Sequence, residues 1–349
     1  MKLHFSHPYK ENLSISVGQF TQIVGQNQQL KYYIWQLLIW YYNGKKYSEE
    51  DLNIFNQTEP EISTETGVLK RNFFDVISIS DIQDLSEQMA YKKGTVAFDF
   101  MKISLNTVDV ASEIDEINNR LDKISMHIND MINLNVSDVS YRTESNYFTI
   151  DQLLTKNFSP FFNVNHQNIS FEFVDNETKV LIFLEMIERK LIDNPNQILL
   201  VFKNMDDYLS YSSFVVICEK LSELCRQYPY FYCMIFPSNE GYLYVTRENV
   251  EHINIVSDFV EHLFEFQFMF HRFLSQYPSN TVPSEEEFLK ILQRNSSYLF
   301  TQEINHVSLG ISDLVAIKIL NNLYQYDKKL SYVIPMTNQL ELQYLQDKN

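Results

Sequence analysis

The sequence predicts an α/β protein whose head is interrupted by an inserted helical arm and followed by a helical C-terminal module. Three observations predict it. Two apolar runs, Gln197 to Phe202 and Tyr230 to Phe236, flank an amphipathic stretch from Tyr211 to Gln227, the pattern of a parallel strand–helix–strand crossover with buried strands. The row Val110, Ile114, Ile117, Leu121, Ile124, Ile128 and Met131 is spaced 4, 3, 4, 3, 4, 3, a heptad seam without Gly or Pro. A strand-like stretch, Phe20 to Val24, runs through Gly25 into an apolar-periodic segment that Asn43-Gly44 stops.

The elements follow in order. Leu3 and Phe5 alternate with polar neighbours, as do Leu13, Ile15 and Val17, so each set reads as a half-buried strand, and Gly18 allows a turn. The strand Phe20 to Val24 comes next, then a helix from Gln28 to Tyr42 and a strand from Phe73 to Ile79. The heptad row predicts a long helix that packs on another helix as a coiled-coil arm. Thr149-Ile150-Asp151-Gln152 has the form of a capping box and starts a shorter helix. Thr178 to Ile192 is an amphipathic helix, ended by Asp193-Asn194-Pro195-Asn196. From Ser257 onward, with Phe259-Val260 and Leu263-Phe264 first, the pattern reads as helical, and Ser284 to Glu287 is a helix N-terminus. The expected division is 1–81 with 177–256 as the head, 82–176 as the helical leg and 257–349 as the C-terminal extension. Exposing the phenylalanine-rich start of that extension is costly, which suggests that it buttresses a neighbouring subunit.

Composition narrows the function. The 349 residues hold 28 basic and 45 acidic side chains, net −17, which argues against nucleic acid at first sight. The charge is uneven, however. Residues 1–105 have 10 basic and 12 acidic side chains, residues 106–257 have 11 and 22, and residues 258–349 have 7 and 11. Acidity therefore concentrates in the middle, while the first segment carries the pairs Lys45-Lys46, Lys70-Arg71 and Lys92-Lys93. No apolar run approaches the roughly 20 residues a membrane span needs, and the N-terminus reads as a strand, so a cytoplasmic protein is expected. Three cysteines without CxxC spacing suggest neither a disulfide framework nor a zinc site. With only 7 glycines, enzymes needing several glycine-rich loops are disfavoured.

The segment Gly25-Gln26-Asn27-Gln28-Gln29-Leu30-Lys31-Tyr32 follows a strand and opens a helix, where a phosphate-binding loop belongs. Gly25 and Lys31 stand in register with G-x-x-x-x-G-K-[ST]. Leu30 replaces the second glycine, and Tyr32 replaces the hydroxyl residue that meets Mg²⁺. The loop is a degenerate P-loop, and Lys31 is left as a solvated helix residue or a residual anion contact. The strand at 197–202 should end in a metal-holding Asp, yet it ends Phe202-Lys203-Asn204. Asp206-Asp207 come late and are expected to cap the next turn. With no LSGGQ-like signature and no G-x-S-x-G elbow, no catalytic residue and no enzyme activity are expected.

At this point the chain resembles the type II-A CRISPR adaptation family Csn-two in its large form. The resemblance rests on the opening strand Met1 to Ser6, the eroded loop 25–32, the heptad arm 110–131, the paired strands 197–202 and 230–236, and about 90 extra C-terminal residues. It implies an ABC-ATPase-like head with a helical leg, a homotetrameric ring around a positive hole, and binding of double-stranded DNA ends without ATP hydrolysis. It also implies support by calcium and work in spacer acquisition with the Cas-one, Cas-two and Cas-nine proteins.

Under that resemblance, the side chains to contact DNA are Lys45, Lys46, Lys70, Arg71, Lys92, Lys93, Arg120 and Lys123. For Arg120 and Lys123, which flank Leu121, pairing with acids such as Glu116 competes. Glu113, Asp115 and Glu116 are the candidate calcium ligands, being close on one helix, against the plainer reading of an acidic solvated face. The alternatives are a protein-binding scaffold without DNA, and a divergent P-loop NTPase.

Overall fold

The structure, a computed structural model, describes residues 1–132, 134–193, 196–278, 282–302, 304, 309–328 and 331. The chain divides into two compact units, Met1–Asp81 with Asn196–Asn349, and Ile82–Pro195.

The first unit begins with β1 (Lys2–Phe5) and β2 (Ser14–Ser16), paired antiparallel with Leu3 opposite Ile15. Alternation puts Leu3, Phe5 and Ile15 inward, where all three are buried. β3 (Phe20–Val24) is buried along its whole length and leads into α1 (Gln28–Tyr42). A short α2 (Glu49–Asn53) is started by the capping box Ser48/Asp51. β4 (Ile62–Thr64) and β5 (Gly67–Val68) extend the first sheet in the order β2-β1-β4-β5. β6 (Asp75–Ile79) then joins a second sheet.

The second unit holds α3 (Ile82–Gln88), α4 (Val96–Ser104), capped by Thr95, and α5 (Val108–Ile132), the long arm that the heptads predict. Two hairpins follow, β7 (Leu134–Val136) with β8 (Val139–Tyr141), and β9 (Phe162–Val164) with β10 (Gln167–Ile169). Between them lies α6 (Ile150–Gln152), whose Thr149/Gln152 capping box forms as expected, continuing into a π turn at Leu153–Asn157. α7 (Asn176–Asp193) packs on α4 within this unit, whereas the sequence placed it in the head.

The first unit resumes with β11 (Ile198–Lys203), α8 (Tyr211–Gln227) and β12 (Phe231–Phe236), the expected parallel crossover in register Ile198 to Phe231. β13 (Ile253–Val256) pairs parallel with β3, and β14 (Val260–His262) turns back antiparallel on β13. The completed sheet has the order β14-β13-β3-β12-β11-β6. β14 corrects the helical expectation for 259–264: Ser257 N donates to Phe259 O, closing a tight hairpin in which Val256 faces Val260.

α9 (Phe266–Gln276), α10 (Glu285–Asn295) and α11 (Ile311–Leu323) complete the chain, with the Ser284/Glu287 capping box formed. Phe266, Phe270, Phe273 and Phe288 share a buried cluster with Leu243, Val250, Ile253 and Ile255. Much of the phenylalanine-rich start is thus covered by the chain's own sheet and helices, while Phe259 and Phe268 stay 42% and 45% exposed, so only these two carry the cost that suggested a neighbouring subunit.

The arm departs from expectation in one respect. Its apolar seam is uncovered in part: Ile114 is buried and Val110, Leu121 and Ile128 are half-buried, while Ile117, Ile124 and Met131 are exposed, Ile124 54% and Met131 84%. What lies on α5 is an extended strap, residues 143–148, held by a polar row one residue along from the seam. Asn118 and Asn129 each exchange two hydrogen bonds with the strap backbone, at Phe148 and Thr143. Ser125 Oγ donates to Thr143 O at 2.8 Å, and Ser145 donates to Asp122. Asn118, Asp122, Ser125 and Asn129 repeat with the same 4, 3, 4 spacing as the seam.

Candidate functional site

β3 delivers the loop 25–27 to the N-terminus of α1, at the carboxyl ends of the parallel strands. Ligands of open α/β sheets bind there. Gly25 has φ +120°, and a Cβ on it would stand 2.3 Å from Val256 O. The glycine is therefore required by the close approach of β13 as well as by its backbone angle. Asn27 N donates to Val256 O at 3.1 Å and Asn27 Nδ2 to Ser257 O at 2.9 Å. Gln28 N turns back on Gln26 O, and Leu30 N is capped by Asn27 Oδ1 at 2.9 Å. These N–H groups, which would cradle a phosphate in a working loop, are engaged by protein oxygens.

Lys31 corrects the expectation of a solvated side chain. It is 6% exposed, and its Nζ donates to Pro237 O at 2.8 Å. Burial lowers its pKa to about 8, partly opposed by the negative charges of Glu240 and Asp206. Lys203, standing where a metal-binding acid would be, places Nζ 4.5 Å from the Trp35 ring centroid and 4.9 Å from that of Tyr32. Asp206 accepts from Ser238 N at 2.9 Å and from Ser238 Oγ at 2.6 Å, with a further bond from Asn239 N. It fastens the loop after β12; the expected local cap is replaced by a tie across 32 residues.

The hollow between these groups has a volume of about 420 Å³ and is bordered by Gln28, Tyr32, Trp35, Lys203, Phe236 and Pro237. Among the described residues no carboxylate lines it, so it lacks the acid that holds Mg²⁺ beside a nucleotide and offers only neutral oxygens such as those of Asn204 and Ser238. The thiols offer no alternative chemistry: Cys218, Cys225 and Cys233 are buried and free, and burial raises their pKa values.

The candidate cations separate into engaged and open ones. Lys45 Nζ sits 3.1 Å from the Trp40 ring centroid, and Arg71 pairs with Glu59 and lies over Tyr41. Arg120 pairs with Glu116 one turn away, the competing arrangement considered for the arm. Lys93 binds Asp151 at 3.0 Å. Lys46, Lys70, Lys92 and Lys123 are exposed, with no ion pair among the described residues. The structure brings Lys45 and Arg71 together, Arg71 Nη1 donating to Lys45 O at 3.4 Å. Sequence reasoning missed Lys102, which shares Asp151 with Lys93 at 2.9 Å; no local pattern marks it.

Glu113, Asp115 and Glu116 are exposed on α5. Among the described residues no group of three or more His, Cys, Asp or Glu side chains is arranged to hold a metal ion. No helix among the described residues is long and apolar enough to cross a membrane.

A family model described as CRISPR-associated protein Csn2 subfamily St matches residues 5–346. The solved crystal structure of Stu0660 of Streptococcus thermophilus is similar with a TM-score of 0.93 and 42% sequence identity, covering 99% of this chain and 100% of that one. No curated protein matches the chain.

Proposed function

Because the chain belongs to the Csn2 family of CRISPR-associated proteins, we propose that it is a non-catalytic protein of spacer acquisition that binds double-stranded DNA at its ends. The head is read as an ABC-ATPase-like fold whose phosphate loop has been turned to structural use. The observation that carries the non-catalytic reading is Lys31. Its ammonium is buried against Pro237 O, Lys203 replaces the metal-holding acid, and the neighbouring hollow lacks a carboxylate. A loop so arranged engages its donors within the protein and has no carboxylate in its lining to hold the Mg²⁺ that phosphoryl transfer uses.

DNA binding is supported by family membership and by the open lysines 46, 70, 92 and 123, which lie outside the strongly acidic stretches or on the arm. A chain of net −17 meets DNA only through a segregated basic surface, which a homotetrameric ring would assemble from several copies. Within one chain the arm's carboxylates do not gather. Calcium support is therefore proposed for an assembly in which another chain adds oxygen ligands to Glu113, Asp115 or Glu116. Work beside the Cas-one, Cas-two and Cas-nine proteins in the cytoplasm belongs to the same reading. A second reading, a scaffold for protein partners without DNA, is favoured by the uncovered seam at Ile117, Ile124 and Met131.

The test is a gel-shift series with linear and closed-circular duplexes, with and without calcium. The proposal expects shifted linear DNA and no ATP hydrolysis. Equal failure on both DNAs in the presence of calcium would sink it and favour the scaffold.

A further inference from the structure

Lysines from three segments of the second unit converge. Lys93 Nζ donates to Asp151 Oδ2 at 3.0 Å, and Lys102 Nζ donates to Asp151 Oδ1 at 2.9 Å. Lys93 comes from the loop before α4, Lys102 from α4 itself, and Asp151 from the first turn of α6. The two lysine side chains remain 68% and 53% exposed, while Asp151 is 27% exposed. Lys92 stands beside them, exposed and without an ion pair among the described residues. Deeper in, Lys190 of α7, 11% exposed, pairs with Asp99 at 3.1 Å, one helical turn before Lys102. A hollow of about 440 Å³ opens here, bordered by Asp99, Lys102, Ile103, Asn106, Ile150 and Lys190.

The two ion pairs differ in kind. Lys190–Asp99 is shielded on the lysine side only, with Asp99 38% exposed, and it ties α7 to α4. The Asp151 bridge lies at the surface, where an ion pair is weak and exchanges readily for another anion. The ammoniums of Lys102 and Lys93 hold the Asp151 carboxyl below its ordinary range. Counting Lys92, Lys93, Lys102 and Lys190 against Asp99 and Asp151 leaves the cluster positive, in a chain whose net charge is −17. A carboxylate that presents one oxygen to each of two ammoniums imitates the two non-bridging oxygens of a backbone phosphate.

We propose that Lys93 and Lys102 contact the phosphate backbone of duplex DNA, and that Asp151 holds the two ammoniums in position until a phosphate displaces it. This rests on the DNA-binding reading above. Lys92 adds long-range attraction, and the Lys190–Asp99 pair keeps α4 in place beneath. The site is blind to sequence, since phosphate contacts carry position without base information.

Fluorescence anisotropy of a labelled linear duplex across a salt series tests this. Each phosphate contact contributes about 0.9 to the slope of log affinity against log salt. The double variant Lys93→Gln/Lys102→Gln loses about 1.8 from the slope per engaged subunit. Between 50 and 200 mM salt the wild-type affinity therefore falls about tenfold more than that of the variant. Asp151→Asn, which keeps the size and frees both ammoniums, binds more tightly at low salt. Circular dichroism melts verify that the variants are folded, and Lys102→Gln alone provides the reading if the double variant is not. An unchanged slope in folded variants, or weaker binding by Asp151→Asn, overturns the proposal while wild-type DNA binding stands. Absence of binding by the wild type overturns both this site and the reading on which it rests.

Discussion

Lys31→Met separates a structural lysine from a nucleotide-binding one by pH. In the unfolded chain the lysine has its ordinary pKa of 10.5, and in the folded chain about 8. A lysine whose folded pKa is depressed binds its proton more weakly in the native state. Below about pH 8 its charge therefore costs stability, and that cost is lifted as pH rises from about 8 towards 10.5. The full difference of 2.5 pK units corresponds to about 3 kcal/mol. Between about pH 7 and about pH 9.5 the part recovered is roughly 1.4 pK units, or about 2 kcal/mol. Methionine fills a similar volume but leaves Pro237 O without its donor, at a cost of about 1–3 kcal/mol that does not vary with pH. Urea denaturation followed by circular dichroism, on both proteins at each pH, gives the result as a difference. Buried tyrosines and cysteines titrate alike in both and cancel. Wild type is expected to gain about 2 kcal/mol on the variant across that range. A flat difference would mean that Lys31 is solvated and charged like the lysine of a working phosphate loop, and the reasoning about the site would fail.

Further outcomes follow from neighbouring geometry. Gly25→Ala brings a Cβ within 2.3 Å of Val256 O at φ +120° and is expected to lower stability by about 3 kcal/mol in a thermal or urea melt. Lys45→Gln leaves the salt slope of DNA binding unchanged, because Lys45 is held over Trp40, while tryptophan fluorescence responds. Ile124→Ser with Met131→Ser alters chain stability by less than about 1 kcal/mol, since both side chains are exposed, yet lowers the molar mass seen by light scattering if the seam joins chains in a ring.

The elements legible in the sequence were those specified locally. The Tyr211–Gln227 helix, its flanking buried strands and the Ser284/Glu287 and Thr149/Gln152 capping boxes all depend on residues within a few positions of each other. The hairpins β7–β8 and β9–β10 escaped because their turns lack glycine. Ser137, Asn165 and His166 take positive φ themselves, so the usual turn signal is missing. The heptad seam correctly announced a long helix, but periodicity records only that a row is apolar, and here the strap binds the adjacent polar row. At the candidate site, spacing alone put Gly25 and Lys31 in register. Their present roles depend on Val256 and Pro237, more than 200 residues away in the chain, and no local pattern carries that information. Lys102 and Asp151 likewise become a site only when α4 and α6 are brought together.

The central claim is that this chain has given up nucleotide chemistry and binds duplex ends. Competition measures it most directly: a labelled linear duplex bound to the wild-type protein is challenged with unlabelled linear or covalently closed circular duplex of the same sequence, with and without ATP and Mg²⁺. The account predicts displacement by linear DNA, much weaker displacement by circles, and no change on adding ATP and Mg²⁺. Equal displacement by both forms, or release driven by ATP, would contradict it.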